Sequence, residues 1–188
     1  ATVGGMGLTG VVLSCRFTAL RVETSRVLVD TWRTLDLDGT MSLMAERDAD
    51  YRYTVAWIDS LATGGRLGRG VVTMADHAPA SAVPDASPLA FAERARIGVP
   101  PLVPSGLLNG LTVRAFNELW YRKAPAQRTA EVQGIGEFFH PLDMVRDWNR
   151  LYGRQGMLQY QFVVPLGAEG TLRAAIEGLA RGGAASFL

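Results

Sequence analysis

Residues 134–165 read GIGEFFHPLDMVRDWNRLYGRQGMLQYQFVVP, and the reading of this stretch decides the fold. Its last part alternates. Leu158, Tyr160, Phe162 and Val164 fall on one side of an extended chain, and Met157, Gln159, Gln161 and Val163 on the other, because strand side chains alternate with period two. The pattern predicts a strand over 157–164. Its first side is an ordinary core face. Its second side sets two glutamines among large apolar neighbours, and an amide buried without partners costs about 1–3 kcal/mol. That side therefore faces water or a polar ligand. Upstream, Phe138, Phe139 and His140 lead into Pro141, a residue suited to the first helical position. Leu142, Val145, Trp148 and Tyr152 then recur at helical spacing, with Asp143, Arg146, Asp147, Asn149 and Arg150 over much of the remaining surface. The spacing predicts a short aromatic-rich helix beside the glutamine strand. Two readings stay open here: one wall of a polar-ligand pocket, or an amphipathic helix on a solvent-facing sheet.

Downstream, Leu172, Ala175, Ile176 and Leu179 form an i, i+3, i+4, i+7 stripe, with Glu169 in the first turn and Gly182 at the end. These signals predict a helix over about 169–181. The chain then closes on Ala184-Ala185-Ser186-Phe187-Leu188, which reads as the start of a strand. Upstream, strands are predicted over Val11–Thr18, Arg26–Arg33, Arg52–Ile58, Gly68–Met74 and Arg128–Gln133. Asp36 and Asp38 cap a predicted helix running to about Asp48, with Leu37, Met41 and Leu43 or Met44 as its apolar side. Phe116–Lys123 is a packing segment, helical or extended. Residues 75–110 hold six of the nine prolines and few periodic apolar positions. Such a loop is disordered or a functional cover, with Leu102, Val103, Leu107 and Leu108 as its contact patch. Strands outnumber helices and most connections are short. The fold class is therefore α+β: an antiparallel sheet with helices packed mainly on one face, leaving the other face for a partner or ligand.

The 188 residues suffice for one good core. A net charge of +1, with 48% hydrophobic and 20% charged residues, argues against nucleic acid as the main partner. No run reaches the roughly 18–20 apolar residues that span a bilayer, and no signal peptide is visible. A cytoplasmic or membrane-associated place is expected, with peripheral membrane contact allowed. The single cysteine, Cys15, excludes an internal disulfide and reads as a buried small apolar residue. Both ends fall inside elements, so a fragment of a longer protein is expected.

Metal ligation has no support: His77 and His140 sit in no ligand spacing. No serine triad is visible. Asp143 and Asp147 read as solvated charge or as partners of Arg146 and Arg150, and His140 as a helix-entry hydrogen-bonder. Residues 4–10, GGMGLTG, contain Gly5-x-Gly7-x-x-Gly10, but a strand pattern follows where a dinucleotide fold needs a helix. The glycines imply a tight turn or close backbone approach.

Beyond pattern, GGMGLTG followed by a strand resembles the end of the flavin-binding domain in FAD-linked oxidases of the vanillyl-alcohol-oxidase type. YTVAWID (53–59), LGRGVV (67–72), ELWYRK (118–123), FFHPLDMVRDWNRLYG (138–153) and LQYQFVVP (158–165) extend the resemblance along the whole chain, weakest in 75–110. It implies a tail of the FAD-binding domain over 1–22, and a substrate-binding domain, truncated at its C-terminus, over 23–188. It implies that Trp57, Phe139, His140, Arg150, Gln159, Gln161 and Leu188 contact substrate. It also implies that Gly5, Gly7, Gly10 and Val11 edge the FAD site. Phe139 falls where the family's ribose oxidases carry a gatekeeping tyrosine, and Val55 where they carry a serine. The family's catalytic lysine and reactive cysteine fall downstream of Leu188, so no residue here is assigned as catalytic.

For the intact protein the resemblance implies oxidation of the C2 hydroxyl of a polyprenyl-phosphate ribose by hydride transfer to FAD. A separate NADH-dependent reductase partner would complete the epimerisation, toward cell-wall arabinan. The segment alone is expected to fold, to bind no FAD and to show no oxidase activity. Two rival readings stay open: an aldonolactone or alditol oxidase on a soluble sugar, of the D-arabinono-1,4-lactone oxidase kind, and a non-catalytic α+β binding module.

Overall fold

Arg26–Thr34 (β1) is the spine of the molecule. Its β-branched residues suit a strand with neighbours on both sides, and Val27, Val29, Thr31, Trp32 and Thr34 are buried. The computed structural model describes residues 3–5, 7–83, 87–91, 97–100, 108–156 and 159–183. Among these, β2 (Tyr53–Ile58), β3 (Gly70–His77) and β5 (Gln127–Gly134) join β1 in a four-stranded sheet, in the order β2-β3-β1-β5. Every pairing in it is antiparallel. A bulge interrupts the β1–β5 ladder between Val29 and Thr31. There Ala130 takes a φ of 55° and its N–H donates to Asp30 Oδ1 at 2.6 Å.

The residues after β1 form α1 (Leu37–Arg47), because the Asp36 carboxylate accepts the Gly39 N–H at 2.8 Å and closes the first turn. Its Leu43 and Met44, with Tyr51 and Ala56, pack against Trp32, Val72 and Met74 on one face of the sheet. Gly68, just before β3, has a φ of 68°, and a Cβ there would stand 2.6 Å from Leu37 Cβ. Only glycine allows this approach of helix to strand. Val27, Val29 and Ala75 make the core of the opposite face, covered at one end by Tyr53, Ile135 and Phe138. Ile135 and Phe138 belong to α3 (Ile135–Phe139).

Helix α2 (Gly110–Lys123) starts from a capping box: the Asn109 side chain accepts the Leu111 and Thr112 N–H groups, and Thr112 Oγ1 accepts the Asn109 N–H. It docks by a buried polar network. Arg69 Nε and Nη2 donate to Asp59 Oδ2 at 3.0 and 2.7 Å, and Nη2 also donates to Glu118 Oε2 at 2.6 Å. Asn117 Nδ2 donates to Asp59 Oδ1 at 2.8 Å. The Arg69 guanidinium lies 4.5 Å from the centre of the Tyr121 ring. Tyr121 in turn donates its hydroxyl to the Thr34 carbonyl. The hydrogen bond from Arg69 holds the Glu118 carboxyl below the usual carboxylate range.

Two short strands, β4 (Ile97–Gly98) and β6 (Val145–Arg146), pair in parallel away from the main sheet. Helix α4 (Glu169–Gly182) is tied to the first turn of α1 by the ion pair of Arg173 with Asp38. Among the described residues, no helix is long and apolar enough to cross a membrane.

The antiparallel α+β architecture agrees with the sequence, and so do β1, α1, β2, β3, β5 and α4. Four local expectations are corrected. Residues 11–18 form no strand: Val11, Leu13 and Phe17 are exposed and the backbone is irregular. The described part of 157–164 forms none either. Alternation makes a strand only where a neighbour takes up the peptide N–H and C=O groups, and neither stretch joins a ladder. Cys15, within the first of them, is exposed rather than buried. The predicted helix after Pro141 is broken: Pro141–Met144 is a 3-10 turn, Val145–Arg146 is drawn into pairing with Ile97–Gly98, and Asp147 adopts a left-handed φ of 60°. Trp148–Gln155 follows as 3-10 turns kinked at Gly153. The segment left open at 116–123 is helical throughout, as part of α2. Leu102, Val103, Leu107 and the terminal 184–188 lie outside the described residues.

Candidate functional site

On β2, Tyr53, Val55 and Trp57 share one side of the strand. The register carries that side across the sheet in rows. Trp57 lies opposite Val71, itself opposite Arg33; Val55 opposite Thr73, then Thr31; Tyr53 opposite Ala75, then Val29. On β5, Glu131 lies opposite Val29 and Gln133 opposite Val27, with His77 on the far side of Val27. This is the sheet face that α1 does not cover. It is open along the edge strand, where Val55 is 49% exposed, while Val29, Thr31 and Val71 of the inner strands are buried.

At one end of this face α3 delivers an aromatic cluster. The Phe139 ring meets the Tyr53 ring edge to face at 4.8 Å, and meets Phe138 in the same way at 4.9 Å. The Tyr53 hydroxyl is 3.1 Å from His77 Nε2, and the two rings are again perpendicular. At the β5 edge Gln133 Nε2 donates to Glu131 Oε2 at 3.2 Å, and Glu131 pairs with Arg128 at 2.8 Å. The face thus combines exposed aromatic surface with a rim of amide, carboxylate and guanidinium groups. Aromatic faces stack against the apolar faces of sugar rings, and polar rims fix orientation.

The structure brings Trp57 and Phe139 to this one face. His140 follows directly. Its N–H donates to the Gly136 carbonyl at 2.8 Å, its own carbonyl accepts the Asp143 N–H, and its side chain is exposed. Arg150 is engaged elsewhere: Nη1 donates to the Val99 carbonyl at 3.0 Å and pairs with Asp147 at 3.0 Å. With the Val99 N–H to Arg146 carbonyl bond of 2.9 Å, it ties the proline-rich stretch to the segment after His140. Gln159 and Gln161 are exposed, in a stretch without regular structure, and join no row of the face. Leu188 lies outside the described residues.

Gly5 and Gly7 lie in a turn closed by the Leu8 N–H to Gly5 carbonyl bond, and Gly10 and Val11 follow in irregular backbone. Gly7 and Gly10 have φ of 81° and 140°, and a Cβ at either would meet nothing within 4 Å. At Gly5 a Cβ would run into Thr9 Oγ1, so the turn is tight there.

Sequence reasoning missed Tyr53 and His77 as a pair and the Glu131–Gln133 rim. The available signal was the period-two alternation of β2 and β5, which places these residues on the side of Trp57 once the register is known.

No protein-family model matches the chain. Over 192 residues it is 38% identical to decaprenylphosphoryl-beta-D-ribose oxidase of Mycolicibacterium smegmatis, an alignment covering 100% of this chain and 42% of that protein. It is 35% identical over 199 residues to an uncharacterized protein in the mprA 5' region of Streptomyces coelicolor, covering 99% of this chain and 53% of that protein. The chain therefore spans about half the length, or less, of these two relatives.

Proposed function

We propose, from a resemblance to decaprenylphosphoryl-beta-D-ribose oxidase that runs the whole length of the chain, that these residues are the substrate-binding part of an FAD-dependent sugar oxidoreductase. The substrate is a polyprenylphosphoryl-ribose, oxidised at its C2 hydroxyl on the way to cell-wall arabinan precursors. The resemblance is the observation that carries this reading. The open sheet face supports it: Trp57 and Phe139 supply the stacking surface a sugar ring needs, and the rim supplies hydrogen-bonding groups.

In this reading residues 1–22 end the FAD-binding domain and residues 23–188 belong to the substrate-binding domain. Bound FAD supplies a two-electron acceptor. Gly5, Gly7, Gly10 and Val11 give it backbone contacts at one edge. Gln159 and Gln161 bind the sugar's hydroxyls when their segment lies against the open face, and Arg150, His140 and Leu188 complete the substrate site. A separate NADH-dependent reductase uses the product, and the isoprenoid tail brings the enzyme to the membrane surface.

The test is a visible spectrum and a substrate comparison. The whole protein should be yellow and should oxidise a short-chain polyprenylphosphoryl-ribose in preference to free aldonolactones or alditols. This 188-residue segment, freed of excess FAD, should be colourless, because a single turn encloses too little of so large a ligand. A colourless whole protein would overturn the flavin assignment, and preference for a free sugar would overturn the substrate.

A further inference from the structure

The aromatic cluster at the end of the open face has an internal order. Phe139 is 36% exposed, yet its ring stands edge-on to Tyr53 with centroids 4.8 Å apart. Tyr53 is itself fixed from two sides. Its ring packs against the core of Val27, Val29 and Ala75, and its hydroxyl bonds His77 Nε2 at 3.1 Å. His77 Nδ1 is buried and has no hydrogen-bond partner among the described residues. The Tyr53 bond is therefore the polar contact that sets the rotation of the imidazole, and the imidazole sets the phenol. The chain of contact runs from His77 on β3, through Tyr53 on β2, to Phe139 at the end of α3. It lies on the face that carries Trp57, four residues along β2 from Tyr53.

We propose that Tyr53 and His77 are positioning residues that hold Phe139 at the rim of the Trp57 face and so set affinity for the sugar without taking part in its chemistry. This rests on the substrate reading given above. Neither residue needs to touch substrate. The edge-to-face contact is a geometry that aromatic pairs prefer, so losing the hydroxyl that fixes Tyr53 loosens Phe139 with it. The cost falls on binding in the ground and transition states alike, which raises KM and leaves kcat alone.

The test uses the whole protein with a short-chain polyprenylphosphoryl-ribose. Tyr53→Phe and His77→Leu should each raise KM about fivefold, the worth of one net hydrogen bond, with kcat unchanged. His77→Gln keeps a hydrogen-bonding group at the end of its side chain and should restore most of the wild-type KM. In a Phe139→Ala background, Tyr53→Phe should add nothing, since the ring it positions is gone. Additive effects of Tyr53→Phe and Phe139→Ala, or a loss confined to kcat, would overturn the proposal. A second readout needs no turnover. With 19F-phenylalanine in the protein, the Phe139 resonance, identified by its loss in Phe139→Leu, should shift or broaden in Tyr53→Phe. An unmoved resonance would also overturn the proposal. If wild-type protein turns over no polyprenylphosphoryl-ribose while the resonance still moves, the substrate reading fails and the positioning geometry stands.

Discussion

Trp32 and Trp57 sit on opposite faces of the same sheet, and their surroundings differ. Trp32 is 8% exposed, sealed between Val72, Met74 and the side chains of α1, with the Arg47 guanidinium over its ring at 5.3 Å. Trp57 is half-buried on the edge strand β2, where Val55 is half in solvent. One strand order serves both faces. On the first, large apolar residues alternate with helix contacts and build stability. On the second, Tyr53 packs against Phe139 and the buried Val29 and Ala75, and exposure falls on the β2 edge at Val55 and on Phe139.

The comparison can be broken most severely at the polar network that docks α2 between the end of β2 and the start of β3. Asp59→Ala leaves Arg69 buried without its main partner, and such a loss costs about 3–5 kcal/mol. Urea denaturation should show most of the stability gone, and a change below about 1 kcal/mol would remove the network from the account. Next comes the closed face. Met74→Ala opens a cavity under α1 and should cost about 2–5 kcal/mol in the same assay. Substrate affinity should be nearly unchanged in the folded fraction. A large rise in KM would mean that the two faces are not independent.

A pH experiment tests the closed face separately. Burial, then the hydrogen bond to Asp30 at 2.6 Å, push the Tyr51 phenol up to about 12 from its ordinary 10.0. A folded pKa raised above the unfolded one gives stability that is fully present below about pH 10 and lost as pH rises through about 12. The melting temperature should fall across that window, and Tyr51→Phe should remove the Tyr51 part of the fall. Equal slopes in both proteins would contradict it. The smallest effect belongs to the open face: Val55→Thr should change stability by no more than about 0.5 kcal/mol. A loss like that of Met74→Ala would show that Val55 is core.

How much of this was legible in the sequence follows from where the physical signal is local. The Asp36 cap, the buried alternation of β1 and the 172–179 stripe need only near neighbours, and they predicted β1, α1 and α4. Helix α2 stayed open between helical and extended over 116–123 because its buried stripe, Val113, Asn117 and Tyr121, has asparagine at its centre. Asn117 is buried there because Asp59, far away in sequence, accepts from it. The helix expected after Pro141 fails at Val145, which pairs instead with Ile97, and no local pattern announces that competitor. The alternating stretches 11–18 and 157–164 were read as strands because alternation is visible and a pairing partner is not. For the candidate site, the resemblance pointed to Trp57 and Phe139, and the structure sets both on one face. It pointed to Arg150 too, whose geometry is a tie to Val99. Tyr53 and His77 needed the register.

The account's central claim is that the Trp57 face binds the substrate, and one measurement tests it most directly. In the whole protein, Trp57→Leu should lower kcat/KM for a short-chain polyprenylphosphoryl-ribose by about 100-fold, the scale of loss for a misplaced substrate, while a cooperative melting transition is retained. A kcat/KM equal to wild type in a folded Trp57→Leu protein would contradict the claim.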